Sequence, residues 1–484
     1  MIRPAWGRGY FEDCRYTCGF YRETAPNWLD FCSVIRGIRP PREFGKQFSY
    51  LELGSGMGFN LCLLAAAYPE GSFVGVDFNA DQIAHSKSLA KRLDLDNISF
   101  IEADFTELSK GDFPCTADLN PQRFDYVTLH GILTWVTPAV QKALITCVRK
   151  YAKHGSLVYC SYNTNPGWQA GAIFRQIAEY ERRREARSTP DKAYKRAAQQ
   201  LSALLTYENE QPSSLARQTP AIHALIAEVN QQSPHYLLHE YANEGWHPLY
   251  VDEAHSLLAS AQIHFTGSAN PSELLPDLIP ANIRMILDQE PDQTGRELLY
   301  DIATSRRFRR DIFTRGRCPL TIAERTKRLQ SFMFMDARIG DETIKPLQTD
   351  FGEVSADPQT LQTVFEHLSG NSCTLKALSK NLNQPLDHTA GLMSMLLSQS
   401  AVGIASAPIQ ALNTKTETHN IRLAELISDG SPYAYFAAPG MGSAVNIGVE
   451  QAEAVLSYRG KPDHPVADSL QSLLPLLKRA ACLT

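Results

Sequence analysis

Three acids fall at the ends of three successive apolar runs: Glu52 in "YLELGSGMGFNL", Asp77 in "FVGVDFN" and Asp104 in "FIEADF". A histidine, His130, ends a fourth in "FDYVTLH". Gly54, Gly56 and Gly58 alternate directly after the first run, with Ser55 between them and Asn60 just beyond. Glycine has no Cβ, so such a loop lets a ligand approach the backbone closely. The pattern is G-x-G-x-G. The dinucleotide fingerprint G-x-G-x-x-G would need glycine where Phe59 stands, and a phosphate-cradling loop would end in Gly-Lys-Ser/Thr. An anion at Glu52 opposes a pyrophosphate and suits a cationic ammonium.

The rest of the crevice fits one such ligand. Asp77 stands roughly 20 residues past the loop, where a carboxylate accepts both hydroxyls of a ribose. Phe78 can pack on an adenine face, while Asp104 and Phe105 sit where the adenine amino edge would be read. Ammonium, ribose and adenine occur together in S-adenosylmethionine, which is the expected cofactor. Tyr21, in "GFYRETAP", is placed as a lid over it.

The elements that must hold these residues alternate. "FSYLEL", "SFVGVD", "ISFIEA", "FDYVTLH" and "SLVYCSY" read as strands, and the stretches between them carry apolar residues at helical spacing. Strand and helix in turn predict a largely parallel α/β sheet covered on both faces. Residues 174–232 read as a helical insertion. "YLLHEYANEGWHPLYVDEAHSLLASAQIHFTGS" reads as strand, helix and strand that complete the sheet. The run "RRFRRDIFTRGR" reads as a solvated, salt-bridged helix, within a helical middle region at 271–345. Three short helices and a strand after Asp357 suggest a winged-helix-like domain over 356–484. Residues 1–47 form an N-terminal lid segment and 48–270 the cofactor-binding core.

With 484 residues, several domains are expected. A net charge of −5 offers no global field for nucleic acid or anionic lipid, and the would-be recognition helix Asp387–Ser400 has no Lys or Arg. No nucleic-acid partner is expected. No stretch has the length and apolarity of a membrane span, and the N-terminus lacks a signal-peptide core, so a cytoplasmic location without membrane insertion is expected. Ten scattered cysteines read as reduced thiols, with no metal site. Cys14 and Cys18 do not open a radical-enzyme signature, because its third cysteine would be Tyr21.

The motifs "ETAPNWL", "LELGSGMGFNL", "FVGVDFNADQIA", "FDYVTLHGILTWV", "YCSYNTNPGW", "HYLLHEYANEGWHPLY", "FTGSA" and "FRRDIFTRG" cover most of residues 20–320. On these the chain resembles class I methyltransferases that carry a methyltransferase regulatory domain, a branch that includes bacterial protein-lysine methyltransferases of outer-membrane proteins. The resemblance implies a Rossmann-like class I sheet and methyl transfer, with lysine as the expected acceptor.

Candidates for the acceptor site follow two strands. His130 would orient or deprotonate the nucleophile, or else hydrogen-bond locally, and Trp135 would wall the pocket. In "SYNTNPGW", Tyr162 and Asn163 are catalytic candidates, with Asn165 and Trp168 binding the substrate amine through carbonyl and aromatic groups. The motif echoes the Asn/Asp-Pro-Pro-aromatic signature of amino-group methyltransferases, but it follows the fifth strand and has Gly167 for the second proline. Three functions stay open: a protein-lysine methyltransferase, a small-molecule methyltransferase with a closed apolar pocket under the inserted helices, and a non-catalytic cofactor sensor. The extra helices leave room for a homodimer.

Overall fold

The computed structural model describes residues 18–111, 123–184, 190–207, 210–232, 234–340, 342–370, 372–406, 415–460 and 467–483. Cys14 and the first part of the expected lid segment lie outside them.

The chain enters through helix α1 (Pro26–Ile35) and then builds β1 (Phe48–Leu53), α2 (Phe59–Ala67), β2 (Gly71–Asp77), α3 (Ala80–Leu93), β3 (Ile98–Glu102), α4 (Phe105–Leu108), β4 (Phe124–Leu129), α5 (Pro138–Tyr151) and β5 (Ala152–Asn163). The inserted helices follow as α6 (Gln169–Arg184), α7 (Pro190–Ala203), α8 (Ser214–Gln218), α9 (Ala221–Gln231) and α10 (Pro234–Tyr241). They close on a core of their own, which includes Phe174, Tyr194, Leu225 and Tyr241. α11 (Val251–Ala259) leads to β6 (Ile263–Ser268), and α12 (Ala281–Gln289) and α13 (Gln293–Thr304) lead to β7 (Phe308–Arg315).

These seven strands form one sheet in the order β3-β2-β1-β4-β5-β7-β6. β1 to β5 run parallel, and β7 lies antiparallel between β5 and β6. This is the Rossmann-like class I sheet expected from the sequence. Two local expectations fail. "YLLHEY" lies in helix α10, not a strand, so the sheet takes no member there. "FRRDIFTR" is strand β7, not a solvated helix, and it lies past residue 270, inside the expected helical middle region. Its arginines misled because Arg309 is fully buried, neutralised by three acids.

After α14 (Ile322–Ser331) and β8 (Met333–Asp336), a short hairpin of β9 (Leu347–Thr349) and β10 (Gly352–Val354) leads to α15 (Pro358–Leu368), β11 (Cys373–Thr374), α16 (Leu375–Asn381), α17 (Leu386–Ser398) and β12 (Val402–Ala405). The helices and strands expected of a winged helix are there, but the three-stranded sheet runs β11-β8-β12. Its central strand comes from before residue 356. α17 is no free recognition helix: Asp387 pairs with Arg325, and the Ser398 hydroxyl accepts from Ser272 N.

α18 (Lys415–Ser428) and the hairpin β13 (Tyr435–Ala438)/β14 (Ser443–Asn446) then return to the first domain. Here the reason is visible in α2, "FNLCLLAAA", which has no charged face. A helix apolar all round must be covered all round, and all nine of its residues are buried. On the side away from the sheet, Tyr433 stacks on Phe59 at 4.6 Å, Tyr68 donates to Gly442 O at 2.7 Å and the Thr416 hydroxyl donates to Ala66 O. One apolar core therefore runs from Leu29 and Leu63 into Ile427, Phe436 and Leu477.

Candidate active site

The strand order reverses between β1 and β4, and in open α/β sheets ligands bind outside the carboxyl ends at such a point. A crevice opens there. Gly54, Gly56 and Gly58 all have positive φ (+78°, +53° and +72°), which favours glycine over any residue with a Cβ. Close approach adds a second constraint. A Cβ on Gly54 would lie 1.9 Å from Ile132 Cδ1 in the loop after β4, and one on Gly58 would lie 2.6 Å from Ser86 Cβ. Asp77 ties the loop down from the next strand, accepting from Gly56 N at 2.9 Å and Asn79 N at 3.0 Å.

All the residues expected to hold the cofactor line this one crevice: Tyr21, Glu52, Gly54, Ser55, Gly56, Gly58, Asn60, Asp77, Phe78, Asp104, Phe105 and His130. Asp104 also caps α4, accepting from Thr106 N at 2.7 Å. Met57, Gln82, Ile132, Val136 and Val140 are among the further wall residues that were not expected. Ile132 and Met57 carried a signal, since each sits within a few residues of a motif already singled out.

Glu52 is 4% exposed. Its Oε1 accepts from Asn60 Nδ2 at 3.1 Å, but its Oε2 is buried with no hydrogen-bond partner among the described residues. Burial pushes its carboxyl up to about 8, against the Asn60 hydrogen bond and with help from Asp77. A buried carboxylate oxygen left open is costly, and an ammonium group would satisfy it. Asn60 serves twice, because its Oδ1 accepts from Tyr21 N at 3.0 Å. One amide thus orients the acid and pins the N-terminal segment over it.

His130 closes the other side. Tyr21 stacks on its ring at 3.6 Å, Tyr159 hydrogen-bonds Nδ1 through its hydroxyl at 3.0 Å, and Phe308 meets the ring edge-on. Burial and then the nearby Arg310 push the imidazole down to about 3, so His130 is neutral at ordinary pH.

The "SYNTNPGW" candidates and Trp135 do not join this site. The Tyr162 hydroxyl is sealed, donating to Asp311 Oδ2 at 2.6 Å beside Arg309. Asn163 donates to Glu240 at 2.7 Å, and Asn165 donates to Pro248 O at 3.0 Å. Trp168 packs edge-on against Tyr241 and Trp246 in the core of the inserted helices. Gly167 has a packing reason, since a Cβ there would lie 2.3 Å from Ser305 O. These residues fasten β5 to the insertion and to β7, and Tyr162 and Asn163, expected as catalytic, and Asn165 and Trp168, expected to bind the amine, do not line the crevice. Trp135 is buried and does not line the crevice, whose wall after β4 includes Ile132, Val136 and Val140.

The C-terminal part also reaches the crevice loop. His85 hydrogen-bonds Met57 O through Nδ1 at 3.0 Å and Tyr433 through Nε2 at 2.9 Å. Because Met57 O can only accept, Nδ1 carries the proton in that bond.

Comparison with known proteins agrees with this geometry. Residues 45–234 match a family described as a methyltransferase domain, and residues 233–315 match a predicted methyltransferase regulatory domain. The second stretch contains β6 and β7, so it completes the sheet. An uncharacterized protein of Synechocystis is 29% identical over 472 residues, 95% of this chain and 89% of the relative. An uncharacterized protein of Rickettsia prowazekii is 26% identical over 386 residues, 78% of this chain and 66% of the relative. Among solved structures, PKMT2 of Rickettsia typhi in complex with AdoHcy superposes with a TM-score of 0.69 at 16% identity, covering 96% of this chain and 91% of the other.

The cofactor is S-adenosylmethionine. The residues present fit it: the open oxygen of Glu52 suits its ammonium, Asp77 its ribose, and Phe78, Asp104 and Phe105 its adenine. The chain thus joins a Rossmann-like sheet matched by a methyltransferase domain to a stretch matched by a predicted methyltransferase regulatory domain, and resembles the S-adenosylmethionine-dependent methyltransferases that carry both.

Proposed function

We propose that the acceptor is the side-chain amine of a protein lysine. S-adenosylmethionine supplies an electrophilic methyl group on a sulfonium, and the protein has to present an uncharged nitrogen to it. Lysine at its ordinary pKa near 10.4 needs about 4.6 kcal/mol to lose its proton at pH 7. The observation that carries the reading is the environment of His130. Burial and Arg310 lower that imidazole from 6.5 to about 3, and the same surroundings would favour the uncharged form of a neighbouring amine. His130 is too weak a base to take the proton itself. Its place is to orient the amine, while Tyr21 shields the site from water.

Two further points support a protein acceptor. The likeness to PKMT2, a protein-lysine methyltransferase, extends over the C-terminal part as well as the sheet. Among the described residues, none of the inserted helices lines the crevice or the groove beside it, which disfavours the closed pocket a small-molecule enzyme would need. The test is transfer of radiolabelled methyl into fractionated cell extract, with the protein fraction hydrolysed. Methyl-lysine is the expected product. Label confined to small molecules would overturn the reading.

A further inference from the structure

Tyr21 has two sides. One faces the cofactor crevice, and the other lines a separate groove of about 480 Å³ that runs between the N-terminal segment and the C-terminal part. The groove wall is largely apolar, with Phe20 and Tyr435 in ring contact at 5.7 Å and Leu397 beside them. Three charged residues line it, Arg22, Glu23 and Arg310.

Glu23 is poorly served by the protein. Its side chain is only 13% exposed, and among the described residues its carboxylate meets one cation, Arg310 Nε, at 3.6 Å, outside hydrogen-bond reach. Arg310 Nε is itself buried without a hydrogen bond. A carboxylate can accept about four hydrogen bonds, and this one, partly open to the groove, takes none from the side chains and backbone of the described residues, which leaves it free to accept from an incoming donor. The remaining cation in the groove, Arg22, is committed to Leu397 O and Ser398 O at the end of α17.

We propose that this groove is the entry for the acceptor and that Glu23 receives the ammonium of the incoming lysine, whose aliphatic stem lies along the apolar wall before the nitrogen passes Tyr21. The proposal rests on the lysine reading above and deepens it. It divides the work between two places a single aromatic ring apart. Glu23 recruits the charged amine in the groove, and the enclosed surroundings of His130 favour its uncharged form beside the cofactor. The proton leaves through the groove to water.

The test uses n-butylammonium, a lysine side chain without its backbone, titrated into the full-length protein saturated with S-adenosylhomocysteine and observed by saturation-transfer NMR. Glu23→Gln is expected to weaken butylammonium at least tenfold, leave n-butanol binding unchanged and leave S-adenosylhomocysteine affinity unchanged. Glu23→Asp, which keeps the charge with a shorter reach, should fall between. Equal butylammonium binding by wild type and Glu23→Gln would overturn the proposal, as would no binding by wild type. Binding through Glu23 with methyl label found on a group other than lysine would support the groove and sink the lysine reading alone.

Discussion

The end of β1 and the junction of β5 with β7 each bury a carboxylate, and the two acids behave in opposite ways. Glu52 is 4% exposed and Asp311 is fully buried, so burial raises both. At Asp311 the guanidinium of Arg309, 2.8 Å away, overrides burial and holds the carboxyl below the ordinary carboxylate range. Among the described residues no cation pairs with Glu52, and its carboxyl rises to about 8. A buried acid matched with a cation from its own chain is structure, whereas one provided only with an amide hydrogen bond is a place kept for a ligand. The same distinction separates the cofactor crevice from the polar, aromatic loop after β5.

The comparison breaks most visibly at Arg309. Its guanidinium contacts Asp301, Asp311 and Glu297 at 2.6–2.8 Å. Among the described residues, Arg309→Ala leaves buried Asp301 to pair only with Arg306, at 3.5 Å, and buried Asp311 only with His255, at 3.6 Å, and removing one partner of such a network costs about 3–5 kcal/mol. Urea unfolding should show that loss, while calorimetry on the fraction still folded shows S-adenosylhomocysteine affinity within about threefold of wild type. A stable variant that no longer binds cofactor would show that the network belongs to the site.

At Glu52 the effects should be reversed. Glu52→Gln removes the anion that meets the ammonium, and cofactor affinity should drop about 100-fold, or about 2.7 kcal/mol. The folded protein without cofactor should gain. With the carboxyl at about 8 when folded and 4.5 when unfolded, the native state holds the extra proton between those values. Its stability therefore falls as pH rises through that window, by up to about 5 kcal/mol. The advantage of Glu52→Gln in thermal unfolding should be absent near pH 4.5 and grow towards pH 8. Cofactor binding selects ionised Glu52, so wild-type affinity should weaken below pH 8 with close to one proton released at pH 7. No proton release in buffers of different ionisation enthalpy would mean that Glu52 is already charged.

Most of the crevice was readable in the sequence because its requirements are local. The glycines at 54, 56 and 58, the acids at 52 and 77, and His130 each stand next to the strand that places them. The β5 loop was not readable, because its meaning depends on partners far along the chain: Tyr162 on Asp311, Asn163 on Glu240, and Gly167 on the backbone of Ser305. Strand β7 was hidden for the same reason. Its arginines look solvated until α13 supplies Asp301 and Glu297. The cover on α2 did leave a mark, since "FNLCLLAAA" lacks any polar face, although nothing in it says that the covering residues lie near Tyr433 and Gly442. Glu23 was passed over because a single acid beside an arginine reads as a surface ion pair until the groove is seen.

The smallest expected effect draws the sharpest line between the two regions. Tyr162→Phe keeps the buried ring and deletes only the hydroxyl that donates to Asp311 Oδ2. Arg309 Nε still reaches that oxygen, so the acid stays paired and the loss should be that of one hydrogen bond to a charged group, about 1.5–3 kcal/mol of stability. Initial rates of methyl transfer should remain within about twofold, because the hydroxyl does not face the crevice. A rate reduced 100-fold with stability intact would mean the reverse. The β5 end would then be acting on the acceptor, and the division between paired acids that build the fold and open acids that bind would have to be redrawn around Asp311.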